Sequence, residues 1–184
     1  MDSEKNVQPL RTQEEIEEMK WALRRFGSER DRFLFVFGIN TGLRVSDIVP
    51  LKVSDVRGQQ HVIKREQKTG KVKRFYLNKA LRAEIDAYTN GMADDDYLFP
   101  SRKGNAHITP TQAYRVLVKA ADMLERKDIG THTMRKTFGY HHYKRNKDVA
   151  ALQTLFNHSA PSITLRYIGI TDDEIEATLE DFSL

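Results

Sequence analysis

Helix punctuation constrains this chain more than any other feature of its sequence. Thr109, Pro110 and Gln112 mark one helix start by three rules at once. They supply an N-cap hydroxyl, a proline at the first helical position and a glutamine that reaches back to the cap. Thr12 with Glu15, ahead of "EEIEEMKWALRRF", and Thr171 with Glu174, ahead of 172–181, repeat the box. Gly42 stops a second helix, "ERDRFLFVFGINTG". A short helix in "RVSDIVPLKVSDV" must end before Pro50, and another covers 79–90. The helix from Thr109 is expected to run to about Lys127. Gly130 breaks the chain before "THTMRKTFGYHHYKRNK", and two short helices follow near 148–156 and 160–168. Only 61–66 and 72–77 read as strands, rich in Val, Ile, Phe and Tyr around "KTGK", which makes a hairpin with a glycine turn. With no repeat, low-complexity tract or linker, the expected fold is a single α+β domain, mostly helical, with a small antiparallel sheet.

Composition narrows the function classes. The 184 residues contain no cysteine, which excludes disulfides, thiolate metal sites and thiol catalysis. No apolar run approaches the roughly 18 residues of a spanning helix, and "MDSEKNVQPLRTQEE" lacks the apolar segment of a secretory signal. A cytoplasmic protein is expected. Lys and Arg number 30 against 26 acidic residues, and their placement says more than their sum. Acidic residues gather in "EEIEE", "DDEIEATLED" and the "DDD" of 94–96; basic ones gather in "KREQKTGKVKR" (64–74) and "KRNK" (144–147). Each cluster alone is a solvated face; together they fit a polyanion partner.

The stretch "THTMRKTFGY" raises the chemical question. His132 and Arg135 lie three apart on one helix face, between Met134 and Phe138. Two cationic-capable donors side by side make sense around an anion. In "TGLRVSD", Arg44 follows the helix-stopping glycine, and Asp47 three residues later is within reach of its guanidinium fork. Lys68 sits at the hairpin tip in "QKTGK". In "LFNHSAPSITLRYIG", Asn157 occupies a helix end that wants a left-handed residue. His158 follows in the junction, and Tyr167 comes nine residues after it. Each residue alone has a bland reading: a salt bridge, a solvated lysine, a capping histidine, a core tyrosine.

Six such residues in this order and spacing closely resemble the tyrosine recombinase, or phage integrase, family, from about residue 9 to the end. The resemblance maps the first arginine of the family to Arg44, its acidic neighbour to Asp47, its hairpin lysine to Lys68 and its HxxR motif to His132 and Arg135. It maps the second histidine to His158, in "NHS" rather than the usual "GHS", and the nucleophile to Tyr167. Phe156–Asn157 replaces the usual Leu–Gly, a change that Asn tolerates because it accepts the left-handed conformation. The resemblance implies a catalytic domain over 11–184 behind a polar tail of residues 1–10, without the family's usual N-terminal DNA-clamping domain. It implies site-specific cutting and rejoining of double-stranded DNA through a covalent 3′-phosphotyrosine, by a protein that is monomeric when free and a homo-oligomer, a tetramer, on DNA. Lys71, Lys73, Arg74 and Lys136 are the expected DNA contacts. No cofactor and no metal are expected, since neither a phosphate-loop glycine pattern nor a carboxylate cluster for two-metal chemistry occurs near these residues. The alternatives are a type IB topoisomerase with the same chemistry, and a DNA-binding module of this fold that has lost catalysis.

Overall fold

The computed structural model describes residues 7–65 and 72–171, together with Glu174, Glu176 and Glu180. Helix α1 (Gln13–Phe26) begins with the Thr12–Glu15 box closed in both directions. Helix α2 (Glu29–Thr41) stops at Gly42, whose φ of 66° is the left-handed cap expected there. Helix α3 (Val45–Ile48) ends before Pro50. Strands β1 (His61–Arg65) and β2 (Val72–Tyr76) pair antiparallel, with His61 opposite Tyr76 and Ile63 opposite Arg74. There follow α4 (Lys79–Tyr88), α5 (Pro110–Asp122), α6 (Thr131–Asn146), α7 (Val149–Phe156) and α8 (Pro161–Ile168). The domain is mostly helical with a two-stranded sheet, as expected.

Helix α5 is shorter than its pattern suggests. It ends at Asp122 instead of continuing to Lys127, because Glu125 takes a left-handed φ of 57°. The Glu125 N–H then bonds the Asp122 carbonyl and the Arg126 N–H the Ala121 carbonyl, the paired bonds of a Schellman stop. One near and one distant partner support this turn: the Arg126 guanidinium bonds Asp128 at 2.9 Å and Glu15 of α1 at 2.5 Å. At the other end of the chain, Thr171 and Glu174 exchange the hydrogen bonds of the expected box, 3.3 Å each. Glu174 and Glu176 are helical, and the rest of the expected 172–181 helix lies outside the described residues.

Helix α2 is the hub. Phe33, Leu34, Phe35, Val36 and Phe37 are all buried, so over this stretch the helix is apolar all round and has core on both sides. One side meets Val62 and Phe75 of the hairpin, Leu81 and Ile85 of α4, and Phe99. The other meets Met19 and Leu23 of α1, Leu117 and Ala121 of α5, and Met134 of α6. A third cluster, Tyr140, Leu152, Phe156 and Ile168, joins α6, α7 and α8. Among the described residues no helix is long and apolar enough to cross a membrane.

Residues 7–10, expected to belong to a polar tail, are docked instead. Val7, Pro9 and Leu10 are buried. Leu10 gives its N–H to Thr137 Oγ1 at 2.9 Å, and His141 Nε2 lies 2.9 Å from its carbonyl. Apolar burial won over the polar look of the surrounding sequence.

Gly139 sets the distance between α6 and α8. A Cβ built there would lie 2.5 Å from Ile168 and 2.9 Å from Phe156. Gly139→Ala is therefore expected to lose roughly 1–3 kcal/mol by overpacking. Urea unfolding followed by far-UV circular dichroism measures the loss; a midpoint at or above that of the parent would show that the helices can part freely.

Candidate active site

Four separate pieces of chain bring the expected residues together. The turn after α2 carries Arg44, the first turn of α6 carries His132 and Arg135, the α7–α8 junction carries His158, and the last turn of α8 carries Tyr167. Gly42 allows the first approach: it is left-handed, and any side chain there would run into the Phe138 ring. At the α7–α8 junction Asn157 has φ 58° and ψ 44°, the left-handed cap expected of it.

Arg135 is the centre of the arrangement. Its side chain is turned inward, and the residue is only 4% exposed. One terminal nitrogen donates to the Gly42 carbonyl at 2.6 Å and the other to the Phe156 carbonyl at 3.1 Å. The guanidinium lies 4.1 Å above the Phe156 ring. Burial pushes Arg135 down to about 10; the Tyr167 oxygen opposes that fall, Arg44 adds to it, and Asp47 opposes it. Arg135 therefore remains cationic at neutral pH.

The Tyr167 hydroxyl lies 3.0 Å from His132 Nδ1. In the tautomer that leaves Nδ1 bare, the phenol donates to it and the imidazole is placed to take the proton. His158 stacks edge-on against Tyr167 at 5.1 Å, with its Nδ1 3.0 Å from Thr164 Oγ1. Burial, followed by the charges of Arg135 and Arg44, holds His158 below the usual histidine range. Exposed Arg44 faces this group across a small cavity of about 90 Å³, lined also by Ser46, Thr131, His132 and Arg135. Val45 supplies an apolar wall, and the two guanidinium groups with His132 give the cavity the positive charge that suits an anion.

Two expectations need adjustment. Asp47 does not pair with Arg44: among the described residues the two form no ion pair, and the carboxylate acts on Arg135 by its charge instead. Lys136, expected as a DNA contact, is turned inward. Its ammonium donates to the Val7 carbonyl at 2.5 Å and sits 5.4 Å over the Tyr167 ring, and burial lowers its pKa. Arg74 is exposed on β2, whereas Lys68 and Lys71 lie outside the described residues and only the backbone of Lys73 is described. Sequence reasoning missed Phe156 and Thr164. Phe156 stood out only as a departure from the usual residue, and the spacing of Thr164 from His158 signalled nothing until the junction was folded.

The junction generates a direct test. A β-branched residue cannot adopt the left-handed cap cheaply, so Asn157→Val is expected to lower stability by about 1–2 kcal/mol while Asn157→Gly leaves it near the parent. Thermal unfolding compares the three proteins, and equal melting temperatures for Val and Gly would contradict the assigned conformation.

Comparison with known proteins comes to the same place. The model of the phage integrase family matches residues 10–174. A probable integrase/recombinase, YoeC of Bacillus subtilis (strain 168), is 48% identical over 176 residues, covering 96% of this chain and 97% of the relative. Tyrosine recombinase XerA of Pyrococcus furiosus is 29% identical over 159 residues, 84% of this chain but 55% of that protein. The chain thus spans about half of XerA. Among solved structures, the fold is similar to the XerA recombinase crystal structure, with a TM-score of 0.73 at 19% identity over 94% of this chain and 65% of the other. It is similar also to XerH site-specific recombinase bound to palindromic difH substrate in a post-cleavage complex, with a TM-score of 0.73 at 17% identity over 94% and 52%.

Proposed function

Because the chain belongs to the phage integrase family, we propose that it cuts and rejoins double-stranded DNA at specific sites through a covalent 3′-phosphotyrosine on Tyr167. The observation that carries this reading is the seating of Tyr167: its hydroxyl is 3.0 Å from His132, and its oxygen lies within the electrostatic reach of buried Arg135. A free phenol, with a pKa near 10, is a weak nucleophile and needs a base and a positive field. Here both come from one turn of α6.

In the proposed reaction the Tyr167 oxygen attacks the scissile phosphorus and its proton passes to His132. Arg44 and Arg135 stabilise the charge that builds on the non-bridging oxygens. His158 donates a further hydrogen bond to them. Lys68 protonates the departing 5′ oxygen, a general-acid role open to an ammonium. Attack of a 5′ hydroxyl on the phosphotyrosine reverses these steps and reseals a strand. The phosphotyrosine preserves the bond energy, so the scheme requires no nucleotide cofactor. Lys71, Lys73 and Arg74 are proposed as backbone contacts of the hairpin; Lys136, turned under Tyr167, is assigned to holding the nucleophile. A tetramer on DNA, formed from free monomers, is the proposed working assembly.

Two experiments follow. Tyr167→Phe removes only a hydroxyl, so it is expected to abolish the covalent band on a denaturing gel with nicked suicide DNA while binding stays near the parental level. Persistence of the band would assign the nucleophile elsewhere. Lys68→Ala is expected to slow cleavage of ordinary DNA but to recover with a bridging 5′-phosphorothiolate, whose sulfur leaves without a proton. Equal slowing on both substrates would make Lys68 a phosphate contact and nothing more.

A further inference from the structure

A buried hydroxyl with no part in the reaction above lies against the second histidine. Thr164 of α8 is 0% exposed, so its proton must find an acceptor inside the protein. Two acceptors are within reach. His158 Nδ1 is 3.0 Å from Oγ1, an ordinary hydrogen-bond length, whereas the Ala160 carbonyl is 3.5 Å away, at the outer limit. That carbonyl already receives the Thr164 backbone N–H at 3.3 Å. The hydroxyl proton therefore belongs on the line to Nδ1.

From this geometry we infer that Thr164 donates to His158 Nδ1 and so fixes the ring in its Nε2–H tautomer, which makes a neutral histidine a hydrogen-bond donor to the scissile phosphate. Thr164 is a positioning residue: it acts through His158 and touches no reacting atom. The consequence for the phosphate rests on the reaction proposed above, whereas the tautomer does not.

The neighbourhood explains why the tautomer matters. Neutral imidazole donates from one nitrogen only. If Nδ1 carried the proton, Nε2 would turn a lone pair toward the phosphate oxygens. A second proton would remove the difficulty, but burial and the two arginines oppose it. A neutral ring with its proton on Nε2 suits a site already supplied with two guanidinium groups. Among the described residues Nε2 has no hydrogen-bond partner, so its donor is available. The packing of α8 holds the arrangement, because Thr164 lies on the buried side of the helix that carries Tyr167.

The test reads the tautomer first. Nitrogen-15 NMR of the full chain labelled at histidine, with His158→Gln used only to assign the signal, should show Nδ1 unprotonated and Nε2 protonated. The reverse pattern overturns the inference whatever the variants do. Function is read next, as single-turnover cleavage of nicked suicide DNA. Thr164→Val, which removes the hydroxyl and keeps the shape, should cleave about tenfold more slowly, and Thr164→Ser should return to within about twofold of the parent, as expected for one hydrogen bond. DNA affinity should not change. Parental rates in the Val variant, or a Ser variant as slow as Val, overturn the positioning role. If instead Tyr167→Phe still forms the covalent band, the reaction proposed above falls while the NMR result stands.

Discussion

The buried guanidinium of Arg135 is the interaction on which the site depends. Taking a cation out of water costs several kcal/mol unless partners replace its hydration. Arg135 has the Gly42 and Phe156 carbonyls, the face of Phe156 and the Tyr167 oxygen. Among the described residues it has no carboxylate at salt-bridge distance. Dipoles and a ring face offset part of the cost, while burial still pulls the group down to about 10. A phosphodiester beside it would supply the missing negative charge. The cost of burial thus becomes affinity for an anion, increasingly so as negative charge builds during attack.

Geometry comes from the same bonds. The Gly42 carbonyl belongs to the turn that presents Arg44, and the Phe156 carbonyl to the turn that presents His158. One side chain therefore ties two loops to the helix that also carries His132. Around it the packing is close: Gly42 leaves room for Phe138, and Gly139 lets α8 bring Tyr167 against the first turn of α6. Further out, the strap of residues 7–11 fastens the assembly. Val7 accepts from Lys136 beneath the tyrosine, and Arg11 donates to the Gly169 carbonyl at 2.7 Å, just after α8. The first turn of α6 also lines the cavity with its positive dipole end, which favours an anion there.

Local rules were legible where the chain solves its own problems locally. The Thr12 and Thr109 boxes, the Gly42 stop and the left-handed Asn157 all depend on residues within one turn, and all stand as expected. What needs a distant partner was not legible. The stop at Glu125 is reinforced by Arg126 reaching Glu15, 111 residues away. The docking of residues 7–10 depends on Thr137 and His141. The site shows the same division. Helical spacing placed His132 and Arg135 on one face, but it could not say that Arg135 turns inward, that Lys136 bonds Val7, or that Asp47 leaves Arg44 alone. Those outcomes depend on which carbonyls and rings the folded chain brings close.

Arg135 is expected to keep its two carbonyl anchors while it clamps the reacting phosphate. A crystal structure of the chain trapped on nicked suicide DNA would show whether it does. The expected result is Tyr167 joined to a 3′ phosphate, Arg44 and Arg135 on its non-bridging oxygens, and Arg135 still donating to Gly42 and Phe156. A phosphate joined to another residue, or an Arg135 that has left both carbonyls to reach it, would contradict that expectation.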